Sequence, residues 1–399
     1  MTKGFEPLQV ISSWTSALLP RYAPYVKYLQ VSGTMMTRHP PKNCFPEALQ
    51  NAIKTWTNLC SIRFTTTESY GKLFTEPLRL LRDFSSLHTI HLGGAWLDDE
   101  QVPILVELER LKSVTIVSPS RAMLSSLPGW LRKLEENLIQ LHLLDDCGSV
   151  TPGVLRSFVP HLRNVRSFSL GLSYSITDQD LFDAISELPC IEDLGVFYYY
   201  QQKLPAKSPK LPHLRSLTVT LKSRPTSAQN AEALSKWIRL IISPASHDKT
   251  SSRKGIEILR INEERLYYDK SLKFDSLVYH LTAKHASSLR VLDIQGMFIS
   301  VRALKVLFEK CTALEVLTFS SGKNLLMQFE ELAHKLPRLH TVGLVVEHTQ
   351  FRLDPSEEAS RIFRNVPSLK RLSVDRRTWD GFWVNDIEGR EPVLKIIAR

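Results

Sequence analysis

Five cysteines in 399 residues, Cys44, Cys60, Cys147, Cys190 and Cys311, are odd in number, far apart and never spaced as CxxC. That argues against a disulfide framework and against a thiolate zinc site. No Asn-x-Ser/Thr sequon occurs. No apolar run approaches the ~20 residues needed to span a bilayer. The early apolar stretch Val10 to Leu19 is broken by Ser12, Ser13, Thr15 and Ser16, and it lacks a basic leader and a cleavage site, so no signal peptide is expected. From these absences the expectation is a cytoplasmic or nuclear protein with no membrane partner. Net charge is +10, yet Lys and Arg are scattered and form no long basic run. The footprint of a nucleic-acid surface is therefore missing.

Catalytic constellations are missing as well. Gly171-Leu172-Ser173-Tyr174-Ser175 starts like a nucleophile elbow but has no closing glycine. Ser321-Gly322-Lys323-Asn324 has no glycine at phosphate-loop spacing, and Asn stands where Ser or Thr is required. Glu347-His348 has no HExxH frame, and the other histidines have no acidic or cysteine set beside them. Asp98-Asp99 and Asp145-Asp146 read as cap and turn residues. The expectation is no enzyme, no metal and no cofactor.

What is present is a phrase: an apolar residue, two others, an apolar residue, one other, an apolar residue. It runs Leu87/Ile90/Leu92, Leu111/Val114/Ile116, Leu138/Leu141/Leu143, Val165/Phe168/Leu170, Ile191/Leu194/Val196 and Leu214/Leu217/Val219. It resumes at Ile256/Leu259/Ile261, Leu289/Leu292/Ile294, Leu314/Leu317/Phe319, Leu339/Val342/Leu344 and Leu369/Leu372/Val374, and looser copies stand at Val26/Leu29/Val31 and Leu59/Ile62/Phe64. Most copies lie 23 to 33 residues apart, the period of leucine-rich repeats. Apolar residues two apart suit a strand buried on one face. The fold class expected is α/β: a leucine-rich-repeat solenoid, a ribonuclease-inhibitor-like horseshoe with parallel strands on the concave face and helices on the convex face.

Between strands the sequence reads as helix. Thr177 with Asp180 forms a capping-box start ahead of Leu181, Ile185 and Leu188, and Asp98 with Gln101 does the same ahead of Leu105. Pro160, Pro189, Pro212, Pro337 and Pro367 punctuate helix ends. Residues 1–24 are expected to form an N-terminal cap, 25–375 a domain of about 13 irregular repeats, and 376–399 a C-terminal cap built on Trp379, Phe382 and Trp383. An insertion at 221–255 contains a helix from Ser227 to Ile242 followed by a polar loop.

The residue between the last two apolar positions of each phrase points away from the core. Among these outward positions and the next ones, His91, His142, Ser169, Phe197, Tyr199, Thr218, Arg260, Asn262, Asp293 and Gln295 are the candidate protein-binding residues. Phe197 and Tyr199 belong to the run Phe197-Tyr198-Tyr199-Tyr200, an aromatic group beside small residues and so a candidate anchor, or else packing for the neighbouring turn. Arg260 opposite Asp293 is either a partner contact or a solvated charge pair.

Ile176-Thr177-Asp178-x-x-Leu181 resembles the cysteine-containing class of leucine-rich repeat, with Ser173 where cysteine usually stands, and Cys147-Gly148-Ser149-Val150-Thr151 is a shifted second copy. Thr151 to Phe182, His285 to Gly296 and Leu19 to Val31 resemble the F-box and leucine-rich-repeat proteins abundant in basidiomycete fungi. That resemblance implies a non-catalytic protein–protein recognition module, the substrate-recognition region of an F-box type ubiquitin-ligase adaptor. The residues ahead of the first phrase carry no Leu-Pro-x-Glu-x-Leu start and no basic-Trp-Arg helix. A cullin-ligase adaptor is accordingly expected as a partner only if an F-box exists upstream; the alternative is a ligase-independent scaffold binding a protein on its concave face.

Overall fold

The computed structural model describes residues 22–34, 44–67, 71–199, 204–222, 227–243, 255–263, 273–321, 329, 331–346, 355–374, 377–384 and 393–398. The chain forms two compact units, Met1–Ile191 and Glu192–Arg399.

In the first unit, strands β1 (Tyr28–Thr34), β2 (Ser61–Thr67), β3 (Thr89–Gly93), β4 (Ser113–Val117), β5 (Gln140–Asp146) and β6 (Ser167–Leu172) pair in chain order, each parallel to the next. Helices α1 (Cys44–Thr55), α2 (Gly71–Leu81), α3 (Gln101–Leu105), α4 (Arg121–Leu134), α5 (Pro152–Phe158) and α6 (Asp178–Ser186) follow the strands one by one. Every parallel step needs such a crossover, because a parallel neighbour cannot be reached by a hairpin.

In the second unit, β7 (Asp193–Tyr198), β8 (Ser216–Leu221), β9 (Ile258–Glu263), β10 (Val291–Phe298), β11 (Val316–Ser321), β12 (Thr341–Val346) and β13 (Arg371–Val374) repeat the parallel order. Helices with fully described bounds in this unit are α7 (Ala228–Ile242), α8 (Asp275–Lys284), α9 (Val301–Lys310) and α10 (Pro355–Asn365), and residues 331–333 are helical as well. Two antiparallel strands, β14 (Arg377–Val384) and β15 (Val393–Ala398), extend its sheet beyond β13.

The phrase builds the core. Ile90, Leu92, Val114, Ile116, Leu141 and Leu143 in the first unit, and Leu217, Val219, Leu292 and Ile294 in the second, have no exposed surface. Each such side chain contributes about 1.5–3 kcal/mol by leaving water. Helix side chains close over them; the Phe74 ring of α2 stacks on Phe64 of β2 at 4.6 Å. The loose first copy differs, since Leu29 and Val31 are only half-buried.

Strand entry has a fixed chemistry. The carbonyl before most of the strands accepts two amides from the next repeat: Cys60 O takes His88 N at 3.0 Å and Thr89 N at 3.2 Å, and Glu315 O takes His340 N and Thr341 N. The same fork recurs at Lys27, His88, Lys112 and Ile139 in the first unit and at Glu192, Arg215, Glu257, Arg290 and His340 in the second. At these eleven positions the fork satisfies the entry carbonyl, as buried backbone requires.

Helix starts follow the sequence closely. Thr177 and Asp180 form the reciprocal capping box at α6. Ser227 caps α7 by accepting from Asn230 N. Ser120, Thr151 and Ser300 cap α4, α5 and α9 in the same way, satisfying an otherwise orphaned first-turn amide. At α3 the expected Asp98–Gln101 box forms only in half: Asp98 N–H donates to the Gln101 side chain at 3.3 Å, while Glu100 is the cap residue and makes no side-chain cap bond. Prolines are not confined to helix ends, because Pro77 and Pro128 lie inside α2 and α4, where each removes a main-chain donor. The polar loop expected after Ser243 lies outside the described residues, as do most of residues 1–24. At the far end Trp379 is buried, while Phe382 and Trp383 are 47% and 43% exposed, so Trp379 alone of the three packs into the last repeat. Each unit is a leucine-rich-repeat solenoid.

Candidate binding face on the sheet

The inward residues of each strand meet the helices; the residues between them form the opposite, outer face of the sheet. In the first unit, Gln30, Arg63, His91, Thr115, His142 and Ser169 are Cα partners strand to strand, so one rank crosses β1 to β6. In the second unit, Gly195, Thr218, Arg260, Asp293, Thr318, Gly343 and Ser373 form the equivalent rank over β7 to β13. Side chains at matched positions of adjacent strands lie ~4.8 Å apart. Each rank is thus a fixed array of neighbouring groups, and six of the ten candidates, His91, His142, Ser169, Thr218, Arg260 and Asp293, stand in it.

The electrostatics of the two ranks differ. In the first, His142 Nδ1 and Ser169 Oγ are hydrogen-bonded at 2.8 Å. Burial holds the His91 imidazole below its ordinary pKa, with the nearby Arg63 and His142 charges acting in the same direction and Asp145 against it. In the second, burial raises the Asp293 carboxyl above its ordinary range, while Arg260 on β9 and a hydrogen bond with Thr318 on β11 pull it back.

The remaining candidates fall one step further along the strands. Phe197, Thr220 and Asn262 are matched across β7, β8 and β9; Phe197 is half-buried and Asn262 exposed. Tyr199, just past β7, is 46% exposed. Tyr198 between them turns inward, is 2% exposed and sets its ring 4.9 Å from Trp237 of α7. The aromatic run therefore divides between surface and core, and Tyr200 lies outside the described residues. Gln295 is exposed but sits in an irregular stretch of β10, where pairing with β11 slips between Ile294 and Phe298; its carbonyl accepts the Ser320 hydroxyl at 2.5 Å. Thr115, Ser320 and Val345 are outward by pattern yet buried, because alternation assigns a face and does not see what lies over it.

Among the described residues, no group of three or more His, Cys, Asp or Glu is placed to hold a metal ion. Ser173 Oγ donates to the Val150 carbonyl at 2.8 Å and accepts from Ser175 N, as a turn residue does. Asp98 Oδ1 accepts from Glu100 N at 2.8 Å and Asp146 Oδ1 from Gly148 N at 2.9 Å. Lys323, Asn324, Glu347 and His348 lie outside the described residues. A cleft of about 430 Å³ is lined by the segments following α2 and α3 and by Lys133. Four of its five charged residues are paired, Arg82 with Glu107 at 3.0 Å and Lys133 with Glu109 at 2.9 Å. No described helix is long and apolar enough to cross a membrane.

No family model matches the sequence, and no curated protein matches it. Solved structures with a similar fold include the yeast Rad7–Elc1 complex, at 13% identity and TM-score 0.47, with 86% of this chain and 76% of that one covered. The Legionella pneumophila leucine-rich-repeat protein LegL7 is similar at 13% identity and TM-score 0.38, covering 84% and 97%. A TLR13–ssRNA13 complex is similar at 14% identity and TM-score 0.37, where 88% of this chain spans half of that chain. These are likenesses of fold; the assignment to the leucine-rich-repeat class rests on the chain's own phrases and register.

Proposed function

We propose that this chain is a non-catalytic protein-recognition module that holds a partner protein against the outer face of its sheets. The observation that carries this reading is the in-register rank of polar, partly exposed side chains laid over a rigid apolar core. Such a rank offers many hydrogen-bonding groups at fixed spacing, a suitable ground for a few anchors and a specifying surround. In the second unit Phe197 and Tyr199 are the aromatic anchors, with Thr218, Arg260, Asn262, Asp293 and Gln295 around them. The test is partner capture by the purified chain carrying Phe197→Ala and Tyr199→Ala together. Capture should weaken by tenfold or more, roughly 1.4 kcal/mol, with the melting transition retained; undiminished capture removes these anchors.

The finer reading is the substrate-selecting region of an F-box type ubiquitin-ligase adaptor, and it is supported by the sequence resemblance alone. Expression of the full-length transcript followed by co-purification decides it. Recovery of the ligase adaptor and cullin supports the ligase role. Recovery of a partner without either leaves a ligase-independent scaffold.

A further inference from the structure

We infer that the outer sheet face of the first unit takes a carboxylate-bearing peptide segment, with Arg63 and His91 as the pair that holds the carboxylate. This rests on the protein-recognition reading above and names the chemistry of the partner. Along the matched rank Gln30, Arg63, His91, Thr115, His142 and Ser169, the side chains are amide, guanidinium, imidazole and hydroxyl groups, with no acid among them. Arg63 is exposed, is in no ion pair with the described residues, and is the Cα partner of the part-buried His91. Adjacent matched positions let a guanidinium and an imidazole reach one anionic group together. The exposed pair Asp145 and Asp146 at the end of β5 repels an anion from that side and leaves the β2–β3 side as its place.

The charge count selects the ligand. One guanidinium supplies one permanent positive charge, which matches a single carboxylate. Phosphate-reading sites gather several arginines, and a nucleic-acid track needs repeated cationic contacts and stacking rings. The rank from Arg63 to Ser169 has no lysine and no Phe, Tyr or Trp.

The same geometry makes binding proton-linked. In the free protein His91 favours its neutral form, being partly buried and facing Arg63 on β2 and His142 on β5, with Asp145 of β5 opposing; its β4 neighbour Thr115 does not titrate in this range. An arriving carboxylate favours the imidazolium, so binding takes up a proton and tightens as pH falls through the histidine range.

The test uses the full chain, immobilised, and short degenerate peptide pools whose central residue is Glu, Gln or phosphoserine, with no acid in the flanks. The Glu pool should be retained on the order of tenfold over the Gln pool, the preference growing between about pH 7.5 and 5.5. Arg63→Gln should abolish the preference and Arg63→Lys should keep part of it. His91→Gln should keep a preference that no longer varies with pH. Equal retention of the Glu and Gln pools overturns the inference and leaves protein recognition standing. Stronger retention of the phosphoserine pool, or of an oligodeoxythymidine probe, overturns it in favour of that ligand. Retention of no pool at all overturns both the inference and the recognition reading for this face.

Discussion

The Tyr198 ring lies 4.9 Å from the Trp237 ring at 57°, joining the end of β7 to α7. Trp237 belongs to the insertion between the β8 and β9 phrases, so the insertion supplies core and is more than an ornament of the surface. Tyr198→Ala should lower stability by about 3 kcal/mol, in the range of other buried aromatic truncations. Tyr199→Ala, one residue on and 46% exposed, should stay within about 0.5 kcal/mol. Urea unfolding of the two variants separates them; equal losses would place both rings in the core.

Gly171 lies where a side chain has no room. A Cβ there would come within 2.3 Å of the Asp145 carbonyl oxygen, and Asp145 itself adopts a positive φ of 57° at the end of β5. Gly171→Ala must push one backbone off another and should cost roughly 1–3 kcal/mol. Gly129 in α4 has nothing within 4 Å of its would-be Cβ, so Gly129→Ala should stabilise by about 0.4–1 kcal/mol. Thermal melting of the pair should give shifts of opposite sign.

Asp293 carries a stability cost when ionised. Its carboxyl is raised mainly by burial, beyond what Arg260 and Thr318 restore. The folded state therefore binds the proton more readily than the unfolded one, and stability from this group is present at low pH and lost as pH rises through the raised value. Asp293→Asn should be more stable than the parent at neutral pH, with the gap closing in acid. A variant less stable at every pH would show that the Arg260 attraction outweighs burial.

Cys147 and Cys311 are buried, with thiols pushed up to about 12 and about 11 by desolvation. The thiolate is the reactive form, so neither should be alkylated in the native state at mildly alkaline pH. Cys60 and Cys190 are partly exposed and should react first. Mass-spectrometric mapping after brief iodoacetamide treatment reads the order, and early labelling of Cys147 would contradict the packing around it.

The strands and their pairing were legible because the phrase is an alternation imposed by a half-buried strand. Leu217 and Val219 have to be two apart, and everything on the outer rank follows by counting. Helix starts at Thr177 and Ser227 were legible through cap chemistry, which is local. What escaped has non-local causes. The burial of Val345 depends on what lies over it, and the slip in β10 after Ile294 places Gln295 outside the matched rank although its parity is right. Tyr198 could have been assigned inward by the same alternation that put Phe197 outward; its partner Trp237, 39 positions later in the chain, could not. Arg63 was visible as an outward residue, but its standing beside His91 becomes informative only with the register known.

The forked carbonyls at strand entry make each repeat elastic on one bank only. A residue lost from the phrase would unhook both amides of a fork and turn the strand's apolar side toward water. A residue added after the strand meets no such clamp. The 42-residue step from Leu214 to Ile256 accommodates the 15-residue α7 while Ser216 and Ile258 still pair directly. Length variation in this protein is thus channelled to the helical margin, and the wall that would greet a partner keeps its spacing whatever is spliced in behind it.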